Sequence, residues 1–217
     1  NEAGQHLLEL VNGLLDLSKI EAGKLDLHTR AVAVRPLLDA CAGLMAPEVD
    51  RKGLSLTLEI APGTPAAVEA DATRVRQMLL NLLSNAVKFT PPGGRVEFHA
   101  GPLGDGRPGL RIEVRDTGPG VPPEKRHLLF EDFSQLFPVP GEGAGTGLGL
   151  AISARLATAM GGRIGCDTEV AQGALFWVEL PLKEVPLPVA AAAAPSAETT
   201  LAQPGRSLRV LVADDVA

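Results

Sequence analysis

The chain holds 217 residues, 45% hydrophobic but only 3% aromatic, with one Trp and no Tyr, which suffices for one substantial domain with appendages around an aliphatic core. Its net charge of −6 and the lack of any basic run interleaved with aromatics argue against a nonspecific nucleic-acid binder. No apolar stretch approaches the ~18 residues of a membrane span, and Cys41 and Cys166 stand too far apart for a C-x-x-C metal or redox motif, so they read as small core residues of a reducing compartment.

The sequence starts at Asn1, without Met and inside a helical pattern, and reads as a piece of a longer protein. Ala3 to Ala22 is a helix with two neighbouring stripes, Leu7, Leu10, Leu14 and Leu17 beside Leu8, Val11 and Leu15. An apolar face that wide suits a helical bundle whose other members lie elsewhere. Gly23 stops it. Leu25 and Leu27 alternate with polar residues as a short strand, and Pro36 to Val49 reads as a helix. Leu54, Leu56, Leu58 and Ile60 alternate as a half-buried strand. Asp71 caps a helix that runs to about Phe89, and Pro91-Pro92-Gly93-Gly94 is a turn. Strands follow at Arg95 to Ala100 and Leu110 to Arg115. Pro122 to Phe133 reads as helical at its core, with Phe130 and Phe133 packing it inward, and Leu148 to Met160 is a further helix. Strands Arg163 to Cys166 and Leu175 to Leu180 close the domain. The expected fold is α+β, a two-layer sandwich of a mixed sheet with helices on one face. Val185 onward is Pro/Ala-rich like a linker, and Leu208 to Ala213 is a strand pattern ending in Asp214 and Asp215. The expected boundaries are 1–23, 24–184, 185–206 and 207–217. Truncation after Lys183 is expected to leave the domain's stability unchanged.

Three motifs carry chemistry. Asn81, Asn85 and Lys88 interrupt the buried pattern of Val75, Met78, Leu79, Leu82, Leu83, Ala86 and Val87 and stack on one side of that helix. Two carboxamides and an ammonium suit a phosphate chain with a divalent cation, or form a plain solvated stripe. Asp116-Thr-Gly118-Pro-Gly120 ends a strand, where the carboxylate can accept from an exocyclic amine or merely cap a turn. Gly141-Glu-Gly143-Ala-Gly145-Thr146-Gly147-Leu148-Gly149 leads into a helix. Its spacing fits neither the dinucleotide fingerprint nor the P-loop, but amides at a helix start favour phosphate. Gln135 to Gly145 has the composition of a mobile lid.

In combination and order these motifs resemble the catalytic ATP-binding domain of sensor histidine kinases, within the gyrase, chaperone and histidine kinase ATPase superfamily. Asn81 to Thr90 is similar to that family's asparagine box, Asp116 to Gly120 and Gly145 to Gly149 to its glycine boxes, and Phe130 to Phe133 to its phenylalanine box. The resemblance implies ATP and Mg2+ as ligands. Asn85 would take the metal, Asn81 and Lys88 the phosphates and Asp116 the adenine amine. Gly118, Gly120, Phe130, Phe133, Gly145, Thr146, Gly147, Leu148 and Gly149 would complete the nucleotide-binding set.

The first helix resembles the second half of the family's dimerisation and phosphotransfer hairpin, and Asp214-Asp215 the start of a receiver. Together they imply a hybrid kinase that passes the ATP γ-phosphoryl group to a histidine and onward to an aspartate. Implied partners are a second copy through the hairpin and a receiver or response regulator, with no nucleic acid and no membrane contact from these residues. The implied location is cytoplasmic, with any membrane anchor upstream. His6 is followed by Leu7, where the family's acceptor histidine is followed by an acidic residue, so no autophosphorylation is expected of this stretch alone. His28, His99 and His127 read as surface residues of strands and a helix. No Arg or Lys stands between Arg126 and Arg155, and Ala174 occupies a position where the family has Ser or Thr. Those departures leave a nucleotide-binding pseudokinase as the alternative. A topoisomerase or chaperone ATPase fits the first helix and the Asp214-Asp215 end less well.

Overall fold

The computed structural model describes residues 4, 11, 15, 18, 20, 22, 25–104, 106–134, 146–167 and 173–187. In chain order the elements are β1 (Arg30–Ala33), α1 (Val34–Lys52), β2 (Ser55–Ile60), β3 (Ala67–Ala70), α2 (Ala72–Phe89), β4 (Arg95–Pro102) and β5 (Leu110–Asp116). A 3-10 turn (Pro123–Leu128), α3 (Gly149–Ala159), β6 (Arg163–Asp167) and β7 (Leu175–Leu180) complete them.

Five strands form one mixed sheet in the order β2-β4-β5-β7-β6. β2 and β4 are parallel and the other pairs antiparallel. A parallel pair needs a crossover, and the chain between β2 and β4 supplies it with β3 and α2. Alternation along each strand separates the two faces. Inward, Val96, Phe98, Ala100, Ile112, Val114, Phe176, Val178 and Leu180 meet the buried side of α2, where Met78, Leu79, Leu82 and Leu83 are all 0% exposed. Helices α1 and α3 flank α2 on that face.

Among the described residues the other face carries charge and no helix. Arg111 bonds Glu113 at 2.6 Å and Glu179 at 2.5 Å, and Arg163 bonds Glu179 at 2.6 Å. Both guanidiniums lie over the Trp177 ring, 4.8 and 5.5 Å from its centroid.

A second sheet pairs β1 with β3 in antiparallel register. After β7 the chain returns to it: the Glu69 amide donates to the Lys183 carbonyl at 2.8 Å, and the Val185 amide to Ala67 at 3.1 Å. Val185, a linker residue by composition, is therefore bonded to the domain.

The α+β sandwich stands as expected, with three local corrections. Leu25 to Leu27 forms no strand; both leucines are half-buried, but the pairing begins only at Arg30, where β3 offers a partner. β3 itself was not legible, because four residues without long apolar side chains carry no period. The segment after Pro122 is a 3-10 turn rather than an α-helix. Phe130 packs on the core as expected, but Phe133 is 58% exposed. At the amino end, Gly4, Val11, Leu15, Ser18 and Ile20 are helical, and Val11 and Leu15 are exposed. The lid expectation at Gln135 to Gly145, and the linker and strand expected beyond residue 187, lie outside the described residues.

Candidate functional site

Helix α2 is fixed at both ends. At its start the buried Asp71 carboxylate accepts from the Thr73 and Arg74 amides at 3.0 and 3.2 Å, and from the His28 amide at 3.0 Å. At its end Lys52 of α1 donates to the carbonyls of Val87 and Lys88 at 2.8 and 2.7 Å, placing a cation on the negative end of the helix.

Between those ends the polar stripe is half-buried. Asn81 donates to the Gly149 carbonyl at 3.0 Å and to the buried Ser153 hydroxyl at 3.1 Å, so it ties α2 to the start of α3. The Asn85 side chain makes no hydrogen bond with the described residues, which leaves its carboxamide oxygen available for a hard cation. The Lys88 ammonium lies 5.7 Å from the Phe89 ring centroid. Among the described residues no cluster of three His, Cys, Asp or Glu side chains could hold a metal.

Asp116, at the end of β5, is 5% exposed. Burial pushes its carboxyl above the ordinary 3.8, while the amides of Gly118, at 2.7 Å, and Ala174 pull it back by donating to the carboxylate. Gly173 lies directly over this strand end with φ 80°, and a Cβ there would overlap the Asp116 carbonyl oxygen. A Cβ at Gly120 would stand 2.8 Å from the Gly173 oxygen, and one at Gly118 3.0 Å from the Phe89 carbonyl oxygen. These glycines let the Asp116 loop press against both the turn before β7 and the end of α2. Asp116 and the polar stripe thus share one end of the helical layer.

The second glycine motif joins them from α3. Gly147 has φ 71°, and a Cβ there would lie 2.7 Å from the Phe133 carbonyl carbon. Leu148, 1% exposed, anchors the segment in the core, and its amide donates to Thr146 Oγ1 at 3.2 Å. A Cβ on Gly149 would come within 3.3 Å of Asn81 Oδ1. Of the expected site residues only Gly145 lies outside the described set. Sequence reasoning missed Ser153 and Lys52. Ser153 sits one turn after Gly149 inside an apolar helix, and that position was the available signal; Lys52 had none.

Burial pushes the Cys41 thiol up to about 11 and the Cys166 thiol up to about 12, the latter helped by Asp116 and Asp167, so both are inert thiols at neutral pH. A pocket lined by Asp26, His28, Arg30 and Arg74 opens at the start of α2, the far end from Lys88.

The family model described as Histidine kinase-, DNA gyrase B-, and HSP90-like ATPase matches residues 70–184, from the end of β3 to the segment that returns to it after β7. The chain belongs to this ATPase family. It is 41% identical over 194 residues to the sensor protein GacS of Pseudomonas syringae pv. syringae, covering 83% of this chain and 20% of that one. Against the sensor protein TorS of Escherichia coli it is 38% identical over 190 residues, covering 87% and 20%. The chain thus spans about a fifth of the length of these curated relatives. Among solved structures, full-length ShkA in complex with AMPPNP is similar with TM-score 0.74 and 41% identity, covering 85% of this chain and 37% of that one. The nucleotide-free catalytic domain of histidine kinase ThkA gives TM-score 0.62 and 25% identity, covering 72% and 97%.

Proposed function

We propose that this chain is the ATP-binding catalytic domain of a hybrid sensor histidine kinase in two-component signalling. The parent would transfer the ATP γ-phosphoryl group to a histidine and onward to a receiver aspartate. The observation that carries the reading is the junction of α2 with the Asp116 loop. There the unpartnered Asn85 amide and the buried Asp116 carboxylate are brought to one end of the fold by backbone contacts that only glycine permits.

Each residue then has a role. Asp116 accepts from the adenine amine, and the Gly118 and Ala174 amides, by donating to the carboxylate, oppose the upward push of burial. Gly118 and Gly120 let backbone approach the base, and Lys88 meets phosphate oxygens. Asn85 would hold Mg2+, which supplies neutralisation of phosphate charge. Asn81 already bonds Gly149 and Ser153, so it also sets where Thr146, Gly147, Leu148 and Gly149 face the phosphates. Phe130 holds the preceding segment on the core. Catalysis of this kind rests on positioning and charge. The sequence reading of a homodimer through the hairpin, a receiver or response regulator as partner and a cytoplasmic location accompanies this proposal.

The test is calorimetry of the 217-residue protein with ADP and Mg2+. Asn85→Ala and Asp116→Ala are each expected to weaken binding by about tenfold or more, the loss of one charge-assisted contact. Wild-type binding with unchanged affinity in both variants would overturn the site assignment.

A further inference from the structure

Phe133 is the one non-glycine residue with positive φ among the described residues, at 59°. A large aromatic in the left-handed region is strained, and it persists only when its surroundings impose it. The ring does not impose it, being 58% exposed. Asp132 and Gly147 do. Asp132, immediately before it, bonds Arg155 of α3 through both carboxylate oxygens, at 2.5 and 2.8 Å. The Phe133 backbone lies where a Gly147 Cβ would have to be. The described residues on either side of 135–145 are therefore locked together by one ion pair and one glycine contact.

That lock reaches the polar stripe. Arg155 belongs to the helix that begins at Gly149 and carries Ser153, and those are the two partners of Asn81. The position of Gly147 against Phe133 sets the approach to Gly149, and through it the Asn81 amide. The side chains of Arg155 and Asp132 are about a third exposed, 30% and 33%. An ion pair so exposed adds little to global stability. Its two-point geometry is suited to orientation instead.

We infer that Asp132 and Arg155 form a positioning pair that holds Phe133 against Gly147 and so sets the Asn81 side of the nucleotide site; this rests on the ATP-binding reading above. The experiment is a double-mutant cycle on the 217-residue protein, with Asp132→Ala, Arg155→Met and both together. Affinity for ADP with Mg2+ is read by calorimetry and stability by thermal unfolding. Each single variant is expected to bind about five- to tenfold more weakly, with the midpoint of unfolding nearly unchanged. The double variant is expected to bind no more weakly than the poorer single one. Wild-type binding with unaltered affinity in both single variants overturns this inference alone. Losses that multiply in the double variant overturn it too, since the residues then act separately. Losses that follow a large fall in unfolding temperature make the pair merely structural and also overturn it. If the wild type binds no nucleotide, the ATP-binding reading fails and takes this inference with it.

Discussion

Glu179 is held between two guanidiniums on the charged face of the sheet, and Arg163 first, then Arg111, keeps its carboxyl below the ordinary 4.5. A depressed folded value means that the stabilisation is fully present above 4.5 and disappears as pH falls through the lower, folded value. Glu179→Gln is therefore expected to lower the free energy of unfolding by about 1–2 kcal/mol at neutral pH, a partly exposed share of the range for charge-assisted bonds. Urea titrations of both proteins along a pH series should show that gap closing below 4.5; a gap that stays constant would assign the loss to packing on Trp177. Asp116 runs the other way. Its carboxyl is held above 3.8 chiefly by burial, so its contribution is present below 3.8 and is lost as pH rises through the raised value. Burial of this carboxyl therefore costs the fold some stability as pH rises.

Among the elements, α2 decides most, because it carries both the fully buried Leu79, Leu82 and Leu83 and the polar stripe. Its start depends on a single side chain. Asp71 takes three amides, two from its own helix and one from His28 in the chain leading to β1. Asp71→Ala should cost about 1–2 kcal/mol, as loss of an N-cap does, and Asp71→Asn should recover most of it. A urea midpoint for Asp71→Ala equal to the wild type's would show that the cap carries no net energy. The capping role was legible from the position of Asp71 before an apolar run, and the His28 bond was not, since it joins residues 43 apart.

The molecule as a whole ends later than its composition suggests. The truncation after Lys183, expected from sequence to be neutral, removes the bridge between Val68 and Glu184 and the amide of Val185 that bonds Ala67. It should destabilise the domain by about 1 kcal/mol, the typical net worth of a backbone bond, whereas truncation after Leu187 should leave stability and nucleotide affinity as they are. Thermal unfolding of the two shortened proteins separates these outcomes, and equal midpoints would show that the small sheet gains nothing from the returning segment.

Sequence alone determined the α+β class, α1 to α3, the five strands of the main sheet and the chemical identity of the Asn81, Asn85, Lys88 and Asp116 groups. Those features are local: apolar period, caps and glycine-rich turns act within a few residues. Only the tertiary structure decided what those groups face. The overlap of Gly173 with Asp116, the hold of Lys52 on the end of α2, the bonds of Asn81 to α3 and the clasp of Asp132 on Arg155 all join residues distant in sequence. No period or spacing encodes such contacts. They arise because burying the two apolar faces against each other leaves one set of backbone approaches, and glycine stands where those approaches are closest.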